Sequence, residues 1–202
     1  THGKQPPTHL RQRIETYFDP LPFYYEPLET QASDKLTYPL NAVTQRPMAM
    51  YHSWDSQNAW LRQIHGDNRL HIHRTTAARL GIADGDWVAV TSHHGRMKAR
   101  AKLMDGVNPH TVWTWNAIGK RAGAWNLAPD SAEARTGFLL NHVISELLPE
   151  QSDGHRYGNC DPVTGQAAWY DLRVRIEKVA AEDGVTEPQF PDLPVPPHLP
   201  AR

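Results

Sequence analysis

The feature that most constrains the fold is a strict alternation of apolar and basic side chains from Arg96 to Leu103. Successive side chains of a β-strand point to opposite faces, so this pattern predicts a half-buried strand. The inward positions are Met97, Ala99, Ala101 and Leu103, and the outward ones are Arg96, Lys98, Arg100 and Lys102. We interpret the basic face as solvated, because a charged strand face meets water more often than phosphates.

The segment before this strand contains residues that typically begin and end short helices and turns. A short strand is expected at residues 70–73, followed by a helix at 76–80 with Thr75 as its N-cap. Gly81 then suits a left-handed helix stop, and Asp84-Gly85 predicts a turn into a strand at 86–91. A second turn is expected at His93-His94-Gly95.

Further strands are predicted at residues 38–44, 110–115 and 169–178. Helices are predicted after Ser56, with Trp60, Leu61 and Ile64 on one side, and from Asp130 to about Leu148. The apolar stripe of the second helix would be Phe138, Leu139, Val143, Leu147 and Leu148. Helices and strands do not alternate regularly, which favours a mixed β-barrel with helical insertions over a doubly wound sheet.

The two ends of the chain differ from its middle in proline content. Residues 1–37 are rich in proline and aromatic residues and are expected to form an irregular arm that packs Phe23, Tyr24 and Tyr25 on another surface. Residues 181–202 include a proline-rich tail, for which extended structure is expected. Residues 38–180 are therefore predicted to be the single folded domain.

Composition excludes several classes of partner. A formal net charge of −1 provides no field that would attract nucleic acid. No apolar run approaches the roughly 20 residues that span a bilayer, and residues 1–7 lack the apolar stretch of a secretory signal, so we expect no direct membrane insertion. Cys160 is the only cysteine, so no disulfide framework or cysteine cluster for zinc or iron-sulfur is expected.

Several segments resemble one family of cofactor-binding domains. Residues 70–103, LHIHRTTAARLGIADGDWVAVTSHHGRMKARAKL, resemble the central signature of the molybdopterin dinucleotide-binding domain at the C-terminus of the dimethyl sulfoxide reductase family. The stretch NAVTQRPMAMYHSWDSQNAWL, residues 41–61, is similar to the family's strand-end segment. WTWNAIGKRAGAWN and NCDPVTGQAAWYDLRVRI resemble the branch of sulfite dehydrogenases and polysulfide, thiosulfate and tetrathionate reductases. The resemblance covers residues 38–178.

The resemblance implies a six-stranded double-psi β-barrel that binds bis(molybdopterin guanine dinucleotide) with molybdenum, or tungsten in some relatives. Carried over by position, the residues lining one cofactor would be Thr44, Gln45, Arg46, His52 and Ser53. Those contacting the other cofactor or the pterin rings would be Asn116, Asn141, Asn159 and Gln166. These residue types suit the ligand, because pyrophosphate binds an arginine fork and hydroxyls, and pterin edges bind amides. Gln45 replaces the family's more usual glycine.

The function that the resemblance implies is that of an oxidoreductase acting on inorganic sulfur compounds. This chain would supply no catalytic residue and no metal ligand. Both the metal-ligating residue and any iron-sulfur cluster would lie in an N-terminal part of the enzyme, so this fragment alone would be inactive. The expected partners are the other domains of the same polypeptide, a membrane anchor subunit, and an iron-sulfur electron-transfer subunit. The site of action would be the cytoplasmic face of the inner membrane or the periplasm, with the cytoplasmic side preferred.

Other functions fit parts of the same evidence. A different substrate within the family, such as formate, nitrate or an arsenic oxyanion, would need the same cofactor domain. A free-standing barrel that acts as a binding module is a second alternative, because fold does not fix function.

Several candidate residues have simpler interpretations. By composition Arg46 could be a surface arginine, and His52 is assigned to cofactor contact rather than to a metal. His71 and His73 lie on one strand face at chelating spacing but lack a third ligand. His93 and His94 are explained as solvated turn residues.

The remaining polar candidates are an amide and a thiol. Asn141 is expected to be a buried amide whose partners a ligand would supply. Cys160 is rejected as a molybdenum ligand, because the family's metal ligand lies in an earlier domain.

Overall fold

A computed structural model describes residues 3–52, 54–55, 58–116, 118, 128, 130, 140–150, 152, 154, 156–167 and 172–180. Six strands close into a barrel around one apolar core. In chain order they are β1 (Leu40–Gln45), β2 (Leu70–His73), β3 (Trp87–Thr91), β4 (Arg96–Met104), β5 (Thr111–Trp115) and β6 (Leu172–Lys178). The helices are α1 (Thr8–Tyr17), α2 (Leu28–Ala32), α3 (Ala59–Arg62), α4 (Arg74–Arg79) and a 3-10 turn, Leu140–Val143.

The strand order around the barrel is β1-β5-β2-β4-β3-β6. Strand β1 pairs in parallel with β5, and β2 pairs in parallel with β4, whereas the other pairings are antiparallel. The predicted six-stranded mixed barrel with short helices is therefore confirmed. The parallel pairing matters for function because it places the ends of β1 and β5 side by side.

The alternating strand β4 is confirmed in detail. Met97, Ala99 and Ala101 are fully buried, and their neighbours on β4 are partly or fully exposed. Gly85 adopts φ +83° in the turn before β3, and Gly81 adopts φ +67° just after α4. Gly81 therefore has the predicted left-handed backbone, and Gly85, also left-handed, lies in the predicted turn.

The N-cap of α4 differs from expectation. His73, and not Thr75, caps this helix, since its Nδ1 accepts a hydrogen bond from the Thr75 backbone N–H at 3.1 Å. In α3 the cap is Asn58, whose Oδ1 accepts from the N–H of Trp60 at 3.0 Å. The predicted cap Ser56 lies outside the described residues.

The N-terminal arm was predicted to be irregular, but it contains α1 and α2. Each helix begins after a proline, Pro7 or Pro27, whose carbonyl accepts the first helical hydrogen bonds. Proline lacks an N–H, but an N-terminal position needs only its carbonyl and its fixed φ. The predicted tail at 181–202 lies outside the described residues.

The predicted helix from Asp130 to Leu148 is wrong at its C-terminal end, and residues 131–139 lie outside the described residues. Only Leu140–Val143 form a helical turn, of the 3-10 type. Beyond it, Leu147 forms a bridge with Gly158, and the Leu148 N–H donates to the Tyr157 carbonyl at 2.9 Å. Leu147 and Leu148 have helical spacing in the sequence, but they lie in an extended segment that pairs with Tyr157 and Gly158. Tertiary pairing therefore outweighs the helical pattern.

Among the described residues, no helix has both the length and the apolar character needed to cross a membrane.

Candidate functional site

The carboxyl ends of β1 and β5 bring four predicted site residues together. In the parallel register Thr44 pairs with Thr114 and Gln45 with Trp115. The Asn116 N–H then donates to the Gln45 carbonyl at 2.9 Å, which extends the pairing by one residue. Thr44 and Gln45 at the end of β1, and Arg46 directly after it, therefore lie beside Asn116, which directly follows β5.

This strand-end site presents polar groups that lack partners. Thr44 Oγ1 and Asn116 Oδ1 are buried, and neither has a hydrogen-bond partner among the residues that the structure describes. Gln45 and Arg46 are exposed, and Arg46 makes no ion pair or side-chain hydrogen bond with the described part of the chain. Leaving a buried polar atom without a partner costs about 1–3 kcal/mol, so such atoms are suited to a ligand that supplies the missing hydrogen bond.

Asn68, which sequence analysis did not identify, supports this site through side-chain hydrogen bonds. Its carboxamide nitrogen donates to the carbonyls of Trp115 and Ile118 at 2.9 and 3.0 Å. Its oxygen accepts from the Thr114 hydroxyl at 2.7 Å and from the Trp115 N–H at 3.1 Å. Asn68 thus fixes the chain on both sides of Asn116. No local sequence pattern predicts this contact, because Asn68 and Thr114 are 46 residues apart.

The loop after β1 contains the next predicted residues. His52 has a positive φ of 49°, and its ring lies edge-on to Tyr51 with centroids 4.9 Å apart. Met48, Tyr51 and Trp54 project large apolar side chains into solvent. Ser53 lies outside the described residues.

The remaining predicted residues do not join the strand-end site through any contact among described residues. Asn141 is exposed at the start of the 3-10 turn, so the expectation that its amide is buried was wrong. Gln166 is exposed in a loop, where its carbonyl accepts from the Asp161 N–H at 2.7 Å. Asn159 is buried, and its Nδ2 donates to Glu29 Oε2 at 3.2 Å.

Glu29, His93 and His94 form a second polar cluster, which corrects the interpretation of the two histidines as solvated turn residues. The Glu29 side chain is fully buried, and those of His93 and His94 are 17% and 8% exposed. Burial, and then the charge of His94, lowers the pKa of His93. Sequence reasoning missed Glu29 because it comes from α2, 65 residues from His94.

His71 and His73, considered above as a chelating pair, have separate contacts. The His71 ring stacks on Trp113 with centroids 3.6 Å apart and planes 2° apart, while His73 caps α4. Burial is the main cause that lowers the pKa of His71, and backbone hydrogen bonds at Trp113 and Arg69 offset part of this effect.

Comparison with known families identifies the class of domain to which this closed barrel belongs. Residues 40–161 match the family described as "Molydopterin dinucleotide binding domain". The match covers more than half of the chain, so the chain belongs to this family. The cofactor expectation, molybdopterin guanine dinucleotide with molybdenum, is thereby confirmed.

Individual relatives support the same family. The chain is 63% identical over 193 residues to a sulfite dehydrogenase subunit of Allochromatium vinosum, covering 95% of the chain and 20% of that protein. It is 34% identical to a dopamine dehydroxylase of Eggerthella lenta, covering 88% of the chain and 15% of that protein. Acetylene hydratase from Pelobacter acetylenicus has a similar structure, with a TM-score of 0.60 and 26% identity over 82% of this chain and 22% of that one.

The strand-end site fits the cofactor of this family. An exposed guanidinium at Arg46, the Thr44 hydroxyl and the Asn116 amide are donors and acceptors of the kind that bind pyrophosphate and a purine or pterin edge. The two buried atoms without partners, Thr44 Oγ1 and Asn116 Oδ1, lie on the two strands that meet there. The chain spans about one fifth of the length of the sulfite dehydrogenase subunit that it matches.

Proposed function

We propose that this chain is the C-terminal cofactor-binding domain of a molybdenum oxidoreductase that acts on an inorganic sulfur compound, with sulfite as the first candidate. The supporting observation is the 63% identity to the sulfite dehydrogenase subunit of Allochromatium vinosum over 95% of the chain. The dopamine dehydroxylase relative, at 34% identity, indicates that the same domain also serves other substrates, so the substrate is assigned by the degree of likeness.

In this proposal the domain binds and orients the cofactor. Arg46 would pair with a phosphate through its guanidinium fork, and the Thr44 hydroxyl and Asn116 amide would satisfy neighbouring polar atoms of the ligand. His52, Ser53, Asn141, Asn159 and Gln166 remain proposed contacts. When bound, the molybdenum cofactor supplies the redox chemistry by which an oxygen or sulfur atom is transferred.

The proposal extends to partners and location. Because the sulfite dehydrogenase relative is itself named as one subunit of an enzyme, we propose that this chain's full-length protein also works within an assembly. We further propose that this assembly contains a membrane anchor subunit and an iron-sulfur electron-transfer subunit, and that it lies at the cytoplasmic face of the inner membrane. Co-purification of the tagged full-length protein, with protease protection in intact and opened cells, tests both points. External protease digesting the protein in cells with only the outer membrane opened would refute the cytoplasmic location.

The test of the function uses the complete subunit purified from its host. Molybdenum and guanine nucleotide are quantified first. Turnover is then measured with an artificial electron acceptor for sulfite, and with a reduced artificial electron donor for thiosulfate, tetrathionate and polysulfide. The proposal predicts loaded cofactor and fastest turnover with sulfite. Loaded cofactor with turnover only on formate, nitrate or arsenic oxyanions would refute the sulfur assignment. Absence of both molybdenum and guanine would favour a binding module.

A further inference from the structure

The cluster of Glu29, His93 and His94 lies away from the strand-end site and has the composition of a metal site. It brings together a carboxylate from α2 and two imidazoles from the turn between β3 and β4. One potential ligand atom from each residue lies within 4.8 Å of the other two. Carboxylate oxygen and imidazole nitrogen are ordinary ligands of Zn²⁺.

Within the cluster, His94 Nε2 is hydrogen-bonded to Glu29 Oε2, and an ion bound between the two residues would take the place of the shared proton. His94 Nε2 lies 3.3 Å from Glu29 Oε2, and His93 Nδ1 lies 3.7 Å from Glu29 Oε1. The second separation is too long for a hydrogen bond. Ligands at about 2.0–2.2 Å from a tetrahedral zinc lie roughly 3.3–3.6 Å apart, and each imidazole nitrogen lies close to that distance from one of the two carboxylate oxygens.

The histidine turn is held in place by the backbone around it. Ser92 is buried, and its hydroxyl accepts hydrogen bonds from the N–H groups of His94 and Gly95 at 3.0 and 3.3 Å. The same hydroxyl donates to the Val143 carbonyl at 2.6 Å. The turn is closed by the Ser92 N–H, which donates to the Gly95 carbonyl at 2.9 Å. The backbone that presents the two imidazoles is therefore held in place before any ligand binds.

The carboxylate of Glu29 is oriented in the same way. Asn159 Nδ2 donates to one oxygen at 3.2 Å, and the Arg173 backbone N–H donates to the other at 3.4 Å. Outer contacts of this kind orient ligands in known metal sites. Ser33 Oγ is hydrogen-bonded to His93 Nδ1 at 3.3 Å, so an ion bound through this nitrogen would displace that contact.

We propose that Glu29, His93 and His94 bind a divalent zinc-class cation that ties the N-terminal arm to the barrel. The ion would link α2 to the β3–β4 turn, and through Asn159 and Arg173 to the loop at 158–167 and to β6. Because it bridges segments far apart in sequence, its loss would release α2 while leaving the barrel closed.

The test uses the complete subunit, dialysed with micromolar Zn²⁺ and then against metal-free buffer. Zinc content is measured by mass spectrometry, and the zinc K-edge X-ray absorption spectrum reports the ligands. We expect the wild type to hold about one more zinc per molecule than the variants, with a nitrogen and oxygen shell at about 2.0–2.1 Å. The variants Glu29→Gln and His94→Gln should lose this zinc, whereas His110→Gln, at an exposed histidine, should keep it.

Hydrogen exchange separates zinc binding from a general loss of folding. Adding Zn²⁺ to the zinc-depleted protein should slow exchange of the α2 amides in the wild type and in His110→Gln, but not in Glu29→Gln. The β4 amides should be unchanged in all three, which shows that the barrel is intact. Failure of the wild type to bind zinc, retention of zinc by Glu29→Gln and His94→Gln, or a sulfur ligand shell would each overturn the proposal.

Discussion

Replacing Asn68 with alanine tests how the strand-end site is built. Among the described residues the carboxamide makes four hydrogen bonds, two as donor to the Trp115 and Ile118 carbonyls and two as acceptor from Thr114 and Trp115. At about 1 kcal/mol net for each bond, the local loss would approach 4 kcal/mol. Water entering the vacated space would offset part of it, so we expect about 3 kcal/mol.

Hydrogen exchange of the complete subunit measures this loss locally. A decrease of about 3 kcal/mol corresponds to exchange on the order of 100-fold faster, because each 1.4 kcal/mol is tenfold. We expect this change at the Asn116 N–H and along β5, accompanied by lower molybdenum content because Asn116 is no longer fixed. The β3–β4 amides should change little.

Asn58→Ala is the matched control, because Asn58 is an exposed asparagine whose side chain caps only the short helix α3. Its loss should cost about 1 kcal/mol and affect α3 alone. If Asn68→Ala accelerated exchange at Asn116 by less than about threefold, under about 0.7 kcal/mol, the interpretation of Asn68 as the support of this site would be refuted.

Three further predictions concern the barrel, each measured by hydrogen exchange of the complete subunit. Burial holds the pKa of His71 below its usual 6.5, so the unfolded chain takes up the proton first and stability falls as pH drops below about 6.5. His71→Phe, which keeps an aromatic ring on Trp113, should reduce this loss of stability. An unchanged dependence of stability on pH would contradict the prediction. Gly81→Ala should cost about 1–2 kcal/mol from its φ of +67° alone, since no atom lies within 4 Å of the added Cβ, and a much larger loss would reveal a clash. Met97→Ala should cost about 2–5 kcal/mol from the fully buried core, whereas Lys102→Ala, in an exposed ion pair, should cost about 0–1 kcal/mol, and equal losses would contradict the assigned faces.

Those parts of the fold that depend on neighbouring residues could be predicted from the sequence. The alternation in β4, the left-handed stop at Gly81 and the turn at Gly85 could be predicted because side-chain period and backbone sterics act over a few residues. The resemblance supplied the barrel, which local patterns favoured without fixing its strand order. The parallel pairing of Thr44 with Thr114 has no local signature.

Contacts between distant segments account for what the sequence could not predict. Leu147 has helical spacing from Val143, yet it pairs with Gly158, and its N–H donates to Ser145 Oγ at 3.1 Å. Serine hydroxyls compete with helical hydrogen bonds in this way. The local sequence predicts a solvated turn at His94, because its buried partner, Glu29, lies 65 residues away in the N-terminal arm.

The central claim, that the end of β1 binds a phosphorylated nucleotide, is tested most directly by Arg46→Ala in the complete subunit. Molybdenum and guanine are measured per mole of purified protein, beside Arg79→Ala, which removes an exposed arginine of α4. We predict that Arg46→Ala lowers both contents together, that Arg46→Lys restores them only in part because lysine lacks the planar fork, and that Arg79→Ala retains both. Full molybdenum and guanine in Arg46→Ala would contradict the claim.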